Sequence, residues 1–288
     1  MGGNALNINT DRLSKREYNK VKERVSEGLV FNLGYSEVRF IPPLLDKEDF
    51  GDLDLIVPLP KPECLEDKLK DVFNSRCVVQ NRDIVSFEYN NFQIDLIHAP
   101  SSEIHFTQAY FSYGDLGMMI GAFSKIISCK YGHNGFFYVH NDSLTLSKSE
   151  FLISLDLSEV FKILDLDLNK FNSGFSNKEE LFEFIYSSKL FDSTAFKLDY
   201  FLNHRRRKRN NKRMMWRDFI DWIRTKPDKH SIVDKSSLHY LSNYIDTSKI
   251  LKEIEINRIT YQRDQIVKKR FNGRKVSRLT GITGKKLG

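Results

Sequence analysis

The chain has 288 residues, of which 40% are hydrophobic and 29% charged, a balance that supports a folded core and excludes a disordered tail. Its net charge of +7 and pI of about 9.1 favour an anionic partner. The three cysteines form no CxxC pair, and no apolar run approaches the roughly 18–20 residues that cross a bilayer. We therefore exclude a disulfide framework, a cysteine zinc site and a membrane partner, and expect a soluble cytoplasmic protein.

The chain begins with a predicted helix and two predicted strands. Ser14 and Glu17 have the spacing of a capping box, which predicts a helix over residues 14–28. Residues 38–41 (VRFI) predict a short strand that ends at the Pro-Pro pair that follows it in the sequence. The run at residues 52–57 is apolar apart from two carboxylates and is closed by proline, which indicates a buried strand.

A helix and a hairpin follow. Residues 66–73 have helical character, and residues 84–89 and 92–97 are two strand-like runs separated by an Asn-Asn pair. Asparagine tolerates the positive φ of a tight turn, so we predict an antiparallel hairpin here.

The pattern becomes helical in the second half of the chain. Residues 114–128 predict a helix in which Gly117 and Gly121 permit close packing. Further helical periodicities cover residues 151–164, 178–187, 194–202 and 216–223. We predict an α+β fold, with an α/β domain over residues 1–147 and a mostly helical domain over residues 148–288.

The positive charge is concentrated in the C-terminal third. From Arg263 onward there are nine basic residues and one acid, Asp264, a net charge of +8, and a second basic block lies at residues 204–213. Such faces are typical of proteins that track a phosphate backbone, although a solvated surface with a basic tail has the same composition. The candidate nucleic-acid contacts are Arg205, Arg206, Arg207, Lys208, Arg209, Lys212, Arg213, Lys269, Arg270, Arg274 and Lys275.

The sharpest motif is a pair of aspartates on the strand at 52–57. Asp52 and Asp54 are two positions apart, so their carboxylates lie on one face of the strand. Two adjacent carboxylates repel each other unless a cation or a proton lies between them. Oxygen ligands of this kind suit Mg²⁺, which is commonly held by a few carboxylates together with substrate phosphates. An Asp-x-Asp pair by itself also marks turns and helix caps.

A third acid, Asp95, lies within the apolar run FQIDLI at residues 92–97. An aspartate among isoleucine and leucine is costly to bury without compensation, although an edge-strand position would leave it partly exposed. Three acids that converge can hold two metal ions about 3.5–4 Å apart, the arrangement that promotes phosphoryl transfer. The sequence therefore predicts Asp52, Asp54 and Asp95 as catalytic and metal-binding residues.

These motifs resemble those of the DNA polymerase β-like nucleotidyltransferase superfamily. The matching segments are GDLDLI at residues 51–56 and IDL at residues 94–96, and the resemblance covers roughly the first 130 residues. It implies a palm-like catalytic sheet over residues 1–147 and two Mg²⁺ ions, with Mn²⁺ as an alternative. It further implies that Asp52 and Asp54 bind both ions, while Asp95 binds the catalytic ion and helps to deprotonate the attacking hydroxyl.

The nucleotide-binding residues are less sharply indicated. The superfamily places a Gly-Gly or Gly-Ser pair about ten residues before the acids, whereas the pair here is Gly2-Gly3, ahead of an entire predicted helix. Its amides can line a triphosphate if the segment folds back, and a flexible initiator segment is the alternative. Gly51, Arg39 and Lys47 are the other candidate nucleotide contacts.

A second resemblance lies at residues 271–288, where a glycine-interrupted basic segment is similar to one near the C-terminus of CCA-adding tRNA nucleotidyltransferases. We therefore expect transfer of a nucleoside monophosphate from an NTP or dNTP to a nucleic-acid 3′-hydroxyl, with RNA, such as a tRNA-like end, slightly favoured over DNA. The alternatives are a non-catalytic nucleic-acid-binding protein, transfer to a protein or small molecule, and a glycosyltransferase that uses the same Asp-x-Asp motif.

Overall fold

The computed structural model describes residues 5–197, 212–231, 233 and 237–270. Its strands are β1 (Leu13–Ser14), β2 (Arg39–Phe40), β3 (Asp49–Phe50), β4 (Asp52–Pro58), β5 (Val78–Asn81), β6 (Ile84–Tyr89), β7 (Phe92–Ala99), β8 (Cys129–Gly132), β9 (Gly135–Asp142) and β10 (Ser147–Ser154). Its helices are α1 (Lys15–Glu27), α2 (Leu65–Phe73), α3 (Ile104–Phe111), α4 (Leu116–Phe123), α5 (Leu157–Ile163), α6 (Leu168–Ser173), α7 (Lys178–Ser187), α8 (Thr194–Lys197), α9 (Met214–Arg224), α10 (Ser237–Ser242) and α11 (Ser248–Arg270). A π-helical turn (Gly28–Asn32) follows α1 and a 3₁₀ turn (Ser124–Ile127) follows α4.

The main sheet is mixed and has the strand order β2-β4-β7-β6-β5. Strands β4 and β7 are parallel, and the other neighbours are antiparallel. The expectation of a mixed α+β protein is therefore confirmed at the level of fold class. The parallel pair lies at the centre, so both of its strands are covered by neighbours.

Two local predictions from the first hundred residues are confirmed. Helix α1 begins after Ser14, whose side chain and that of Glu17 form the predicted capping box. Strands β6 and β7 form the predicted hairpin, and its two turn residues, Asn90 and Asn91, have φ values of 50° and 62°. In both cases the signal is short-range, because a cap and a tight turn depend on residues within four positions of each other.

The apolar face of the main sheet packs under α1 and α2. Alternate residues of the two central strands enter this core, together with helix residues such as Val25, Leu29 and Leu69. The strand residues involved are Leu53, Leu55, Val57, Phe92, Ile94 and Leu96. Because strand side chains alternate, Asp52, Asp54 and Asp95 lie on the opposite face.

A second, antiparallel sheet has the order β10-β9-β8. The predicted helix over residues 151–164 is wrong in its first part, because β10 occupies residues up to Ser154 and α5 begins at Leu157. The short apolar run fits the spacing of a helix as well as that of a strand, and it forms a strand because it pairs with β9. The division predicted at 147/148 falls at the first residue of this strand.

The helices after β10 pack with α3 and α4 into the larger of the hydrophobic cores, which extends from Phe106 to Ile254. Gly117 on α4 permits a close approach there, since a Cβ atom at this position would lie 2.1 Å from the Tyr110 carbonyl oxygen. Helix α4 is shorter than predicted and ends at Phe123. Within the described ranges, no helix is both long enough and apolar enough to cross a membrane.

Candidate metal and nucleotide site

The parallel pairing of β4 and β7 brings the three predicted acids together. Asp54 and Asp95 are directly opposed across the two strands. Asp52 lies two residues before Asp54 on the same face of β4. One carboxylate oxygen from each residue lies within 4.8 Å of the other two. The three aspartates therefore form a compact donor set of the size that a divalent cation requires.

The acids lie near one end of the central strands, beyond the part of that face covered by a helix. The next residues along the same face, Ile56 and Ile97, pack with Ala99 and with Ile104 of α3 into a small apolar cluster. Helix α3 thus covers the apolar end of the face. The aspartates remain partly accessible at the other end.

The electrostatics of the cluster favour a cation. Burial, and then the charges of Asp52 and Asp95, raise the pKa of Asp54 well above its usual range, while the charge of Lys47 opposes that shift. Burial also raises the pKa of Asp95. Three carboxylates that repel one another in a partly buried site lower their energy by binding a hard cation through oxygen. The donor set therefore fits Mg²⁺ or Mn²⁺.

The Asp95 carboxylate is held by hydrogen bonds from its own sheet. The Gln93 side-chain amide nitrogen lies 3.0 Å from Oδ1 and 2.8 Å from Oδ2 of Asp95. Ser86, which faces Asp95 from β6, contributes a further side-chain hydrogen bond. These contacts favour the ionised form of Asp95 and lower its pKa, against the larger effect of burial.

The same glutamine links the cluster to the N-terminal segment. The backbone N–H of Ala5 donates to Gln93 Oε1 at 2.9 Å. The chain at Ala5 is therefore two hydrogen bonds away from a carboxylate of the acidic cluster. Gly2 and Gly3, which lie three and two residues before Ala5 in the sequence, are outside the described residues.

A cleft of about 700 Å³ lies between α1, the segment after β2 and the end of α6. Its cationic and aromatic lining includes Lys15, Tyr18, Lys22, Arg39, Lys47 and Phe50. The ring of Tyr18 stacks on that of Phe50 at 4.0 Å, and the Lys47 ammonium lies 4.7 Å from the centre of the Phe50 ring. Phe50 lies two residues before Asp52, so the cleft is adjacent to the acidic cluster along the chain, although none of the three aspartates lines it.

Two charge effects support this adjacency. The positive charge of Lys47 acts on the carboxyl group of Asp54 and partly opposes the rise in its pKa. Burial, and then the charges of Asp54 and Asp52, raise the pKa of the Tyr18 hydroxyl. The cleft therefore combines a positively charged wall with a neighbouring acidic cluster, which is the charge pattern that a metal-bound polyphosphate requires.

The two predicted cationic nucleotide contacts differ in their surroundings. The guanidinium of Arg39 donates to Glu37 at 2.6 Å and to Gln108 Oε1 at 3.1 Å, and its remaining nitrogen lies 2.9 Å from His105 Nε2. Arg39 thus joins β2 to α3. Lys47 has its ammonium 4.7 Å from the centre of the Phe50 ring and lines the cleft.

The predicted nucleic-acid contacts are only partly described. Residues Arg205, Arg206, Arg207, Lys208, Arg209, Arg274 and Lys275 lie outside the described residues. Lys269 and Arg270 are the last two residues of helix α11. Lys212 is exposed, whereas Arg213 pairs with Asp115 at the start of α4. Arg213 therefore ties the beginning of α9 to α4.

His98, which follows Asp95 closely in sequence, lies on the opposite face of β7. Its Nε2 accepts from the Tyr35 hydroxyl at 2.8 Å, and its Nδ1 donates to the Asp83 carbonyl at 3.0 Å. Burial lowers the pKa of His98 to about 4, so the ring is neutral near pH 7. Its role is structural, since both ring nitrogens are engaged away from the acids.

Sequence reasoning missed Gln93, Ser86, Tyr18 and Lys22. Gln93 could have been found from strand alternation, because it lies two positions before Asp95 and so shares its face. Tyr18 and Lys22 are four positions apart on α1 and line the cleft together. Ser86 carried no local signal, because its position opposite Asp95 depends on the hairpin register.

No family model matches this chain, and no curated protein matches it significantly.

Proposed function

We propose that this protein is a metal-dependent nucleotidyltransferase that moves a nucleoside monophosphate from an NTP or dNTP to a nucleic-acid 3′-hydroxyl. The observation that carries the proposal is the register of β4 and β7, which opposes Asp54 to Asp95 and gathers three carboxylates within 4.8 Å. Such a donor set next to a cationic cleft fits two-metal phosphoryl transfer. The superfamily resemblance of the same residues agrees with this reading.

The chain's own groups have defined roles in this reaction. Asp52 and Asp54 would hold both ions and Asp95 one of them. Bound Mg²⁺ would neutralise phosphate charge and stabilise the deprotonated acceptor oxygen. Asp95 would accept the proton of the 3′-hydroxyl at a carboxylate oxygen. The acceptor oxygen then bonds to the α-phosphorus, the α–β phosphate bond breaks, and pyrophosphate leaves.

The nucleotide would occupy the cleft beside the acids. Lys47 is the leading contact for its phosphates, because its charge acts on Asp54 and its ammonium lies in the cleft wall. The hydrogen bond from Ala5 to Gln93 supports a role for the amides of Gly2 and Gly3, which lie three and two residues before Ala5 in the sequence. Gly51 would allow the backbone to approach closely just before Asp52.

A nucleic acid would be held by the basic residues near 204–213 and beyond 268. Phosphate contacts of this kind are independent of sequence and weaken as salt increases. RNA is slightly favoured as the acceptor by the resemblance at residues 271–288. We also propose a cytoplasmic location, which three free cysteines favour.

The test is a transfer assay with Mg²⁺, each labelled NTP and dNTP in turn, and a panel of tRNA, single-stranded RNA and primed DNA. Asp95→Asn is expected to leave the fold and nucleic-acid binding intact and to reduce incorporation to background. Asp71→Asn is the matched control, because Asp71 is an exposed acid on α2, which packs on the other face of the sheet. It should incorporate nucleotide like the wild-type chain.

The alternatives give different results in the same assay. Near-normal incorporation by Asp95→Asn contradicts the assignment. Salt-sensitive nucleic-acid binding without metal dependence or incorporation identifies a binding protein. Transfer that ignores added nucleic acid identifies a protein or small-molecule acceptor, and turnover of a labelled UDP-sugar identifies a glycosyltransferase.

A further inference from the structure

We propose that Gln93 is a positioning residue that fixes the Asp95 carboxylate for metal binding and ties it to the N-terminal segment at Ala5. This inference rests on the proposed function, because it assigns a role within the same site. Gln93 is no metal ligand in this assignment. It acts through Asp95.

Both ends of the Gln93 amide make hydrogen bonds. The nitrogen contacts both oxygens of Asp95 at 3.0 and 2.8 Å, and the oxygen accepts the Ala5 N–H at 2.9 Å. The residue is only 1% exposed. A carboxylate has about four lone-pair sites, so these contacts orient Asp95 while leaving sites free for a cation.

Two further acids face Gln93 from the neighbouring strands. Glu88 on β6 is directly opposite Gln93, and its carboxylate is already held by Arg76 and by the Asn91 N–H. On the other side, Asp52 is an acceptor and part of the acidic cluster. The contacts of the Gln93 nitrogen are with the carboxylate of Asp95.

A buried amide is costly compared with an apolar side chain at a central strand position. Here the cost is offset by a donor that favours the ionised, oriented form of Asp95. The second contact makes the arrangement depend on the N-terminal segment, because displacement of Ala5 removes the acceptor that holds the amide in place. Partners of this kind commonly change metal affinity or activity by about 10- to 100-fold.

The experiment compares Gln93→Met, which keeps length and volume but removes the amide, with Gln80→Met as the matched control. Gln80 lies exposed on the edge strand of the same sheet. Mn²⁺ affinity is measured by calorimetry on the full chain, and melting is measured in EDTA. We expect Gln93→Met to bind Mn²⁺ about 10- to 100-fold more weakly, with Gln80→Met unchanged. In transfer assays kcat should fall while the KM for nucleotide stays within about threefold.

A second variant keeps the inference testable if Gln93→Met does not fold. Gln93→Asn keeps the amide but is one methylene shorter, so it should also lose the Asp95 contact and weaken Mn²⁺ binding. If both variants are unfolded in EDTA, or if both fold and bind Mn²⁺ as tightly as wild type, Gln93 is merely structural and the inference is overturned. In the latter case wild-type transfer shows that the proposed function stands. If the wild-type chain itself binds no Mn²⁺, the proposed function fails together with this inference.

Discussion

Asp54 and Asp95 are direct partners across two parallel strands, 41 positions apart in the chain. Their carboxylates lie on the face of the sheet opposite the core beneath α1 and α2, because the alternating residues of the same strands, such as Leu53 and Ile94, enter that core. Each acid is costly there without a cation. This pairing has measurable consequences for stability and activity.

Asp54→Asn should stabilise the metal-free protein, and the gain should grow with pH. The folded-state pKa of Asp54 is raised above the unfolded value of about 3.9. The contribution of Asp54 to the free energy of unfolding is therefore fully favourable below the unfolded pKa, and it is lost as pH rises through the folded-state pKa. Thermal melting in EDTA from pH 5 to 8.5 should show that the melting temperature of the variant increasingly exceeds that of the wild type. Each kcal/mol of difference in stability corresponds to a shift on the order of 2–4 °C.

Addition of Mn²⁺ should reverse that order. Wild-type melting temperature should rise with Mn²⁺ concentration, whereas Asp54→Asn should respond weakly, because only the wild type gains binding free energy in the folded state. Equal responses of the two proteins to Mn²⁺ would show that Asp54 is not a ligand.

Lys47→Met should weaken nucleotide binding. The side chain lines the cleft next to Phe50 and carries the charge that acts on Asp54. Loss of one such charge-assisted contact corresponds to about 1.5–3 kcal/mol, so the KM for NTP should rise by roughly 10- to 100-fold. Steady-state kinetics check this, with Lys20→Met as the control, since Lys20 is an exposed lysine of α1 that does not line the cleft. An equal change in both variants would point to general surface charge instead.

His98→Gln should alter acid stability without affecting the acidic cluster. The pKa of His98 is lowered to about 4 in the folded protein, below the unfolded value of about 6.5. Its contribution is therefore present above pH 6.5 and is lost as pH falls toward 4. Wild-type melting temperature should fall over that window, and the variant should fall less steeply from a lower starting value.

Mn²⁺ binding by His98→Gln should match the wild type, because the ring contacts Tyr35 and Asp83 on the opposite face of the sheet from Asp95. Loss of Mn²⁺ binding in a folded His98→Gln protein would contradict the structural role assigned to this histidine.

Gly117→Ala should destabilise the protein strongly. A Cβ atom there would lie 2.1 Å from the Tyr110 carbonyl oxygen, and that oxygen belongs to backbone that cannot move without disturbing α3. Overpacking of this kind typically costs about 1–3 kcal/mol. Urea unfolding measures the change. Gly121→Ala provides the comparison, since its nearest contact, the Tyr131 carbonyl oxygen, would be 3.1 Å away and a smaller shift relieves it.

Several features of this protein could be predicted from the sequence because their causes are local. The capping box at Ser14 and the Asn90-Asn91 turn involve residues within four positions of each other, and the structure contains both. The shared face of Asp52 and Asp54 follows from strand alternation alone. The roles of these aspartates and of Asp95 in catalysis stay a prediction that the proposed assays test.

Only the tertiary structure decided which strands are neighbours and in what register. The parallel alignment of β4 with β7 requires a connection through α2, β5 and β6, and it brings Gln93 and Ser86 to Asp95. Likewise, residues 147–154 became a strand because β9 offered hydrogen-bonding partners, although their apolar spacing also suits a helix. Local periodicity determines which side of an element is apolar, whereas the choice of partner and register depends on packing between residues distant in sequence.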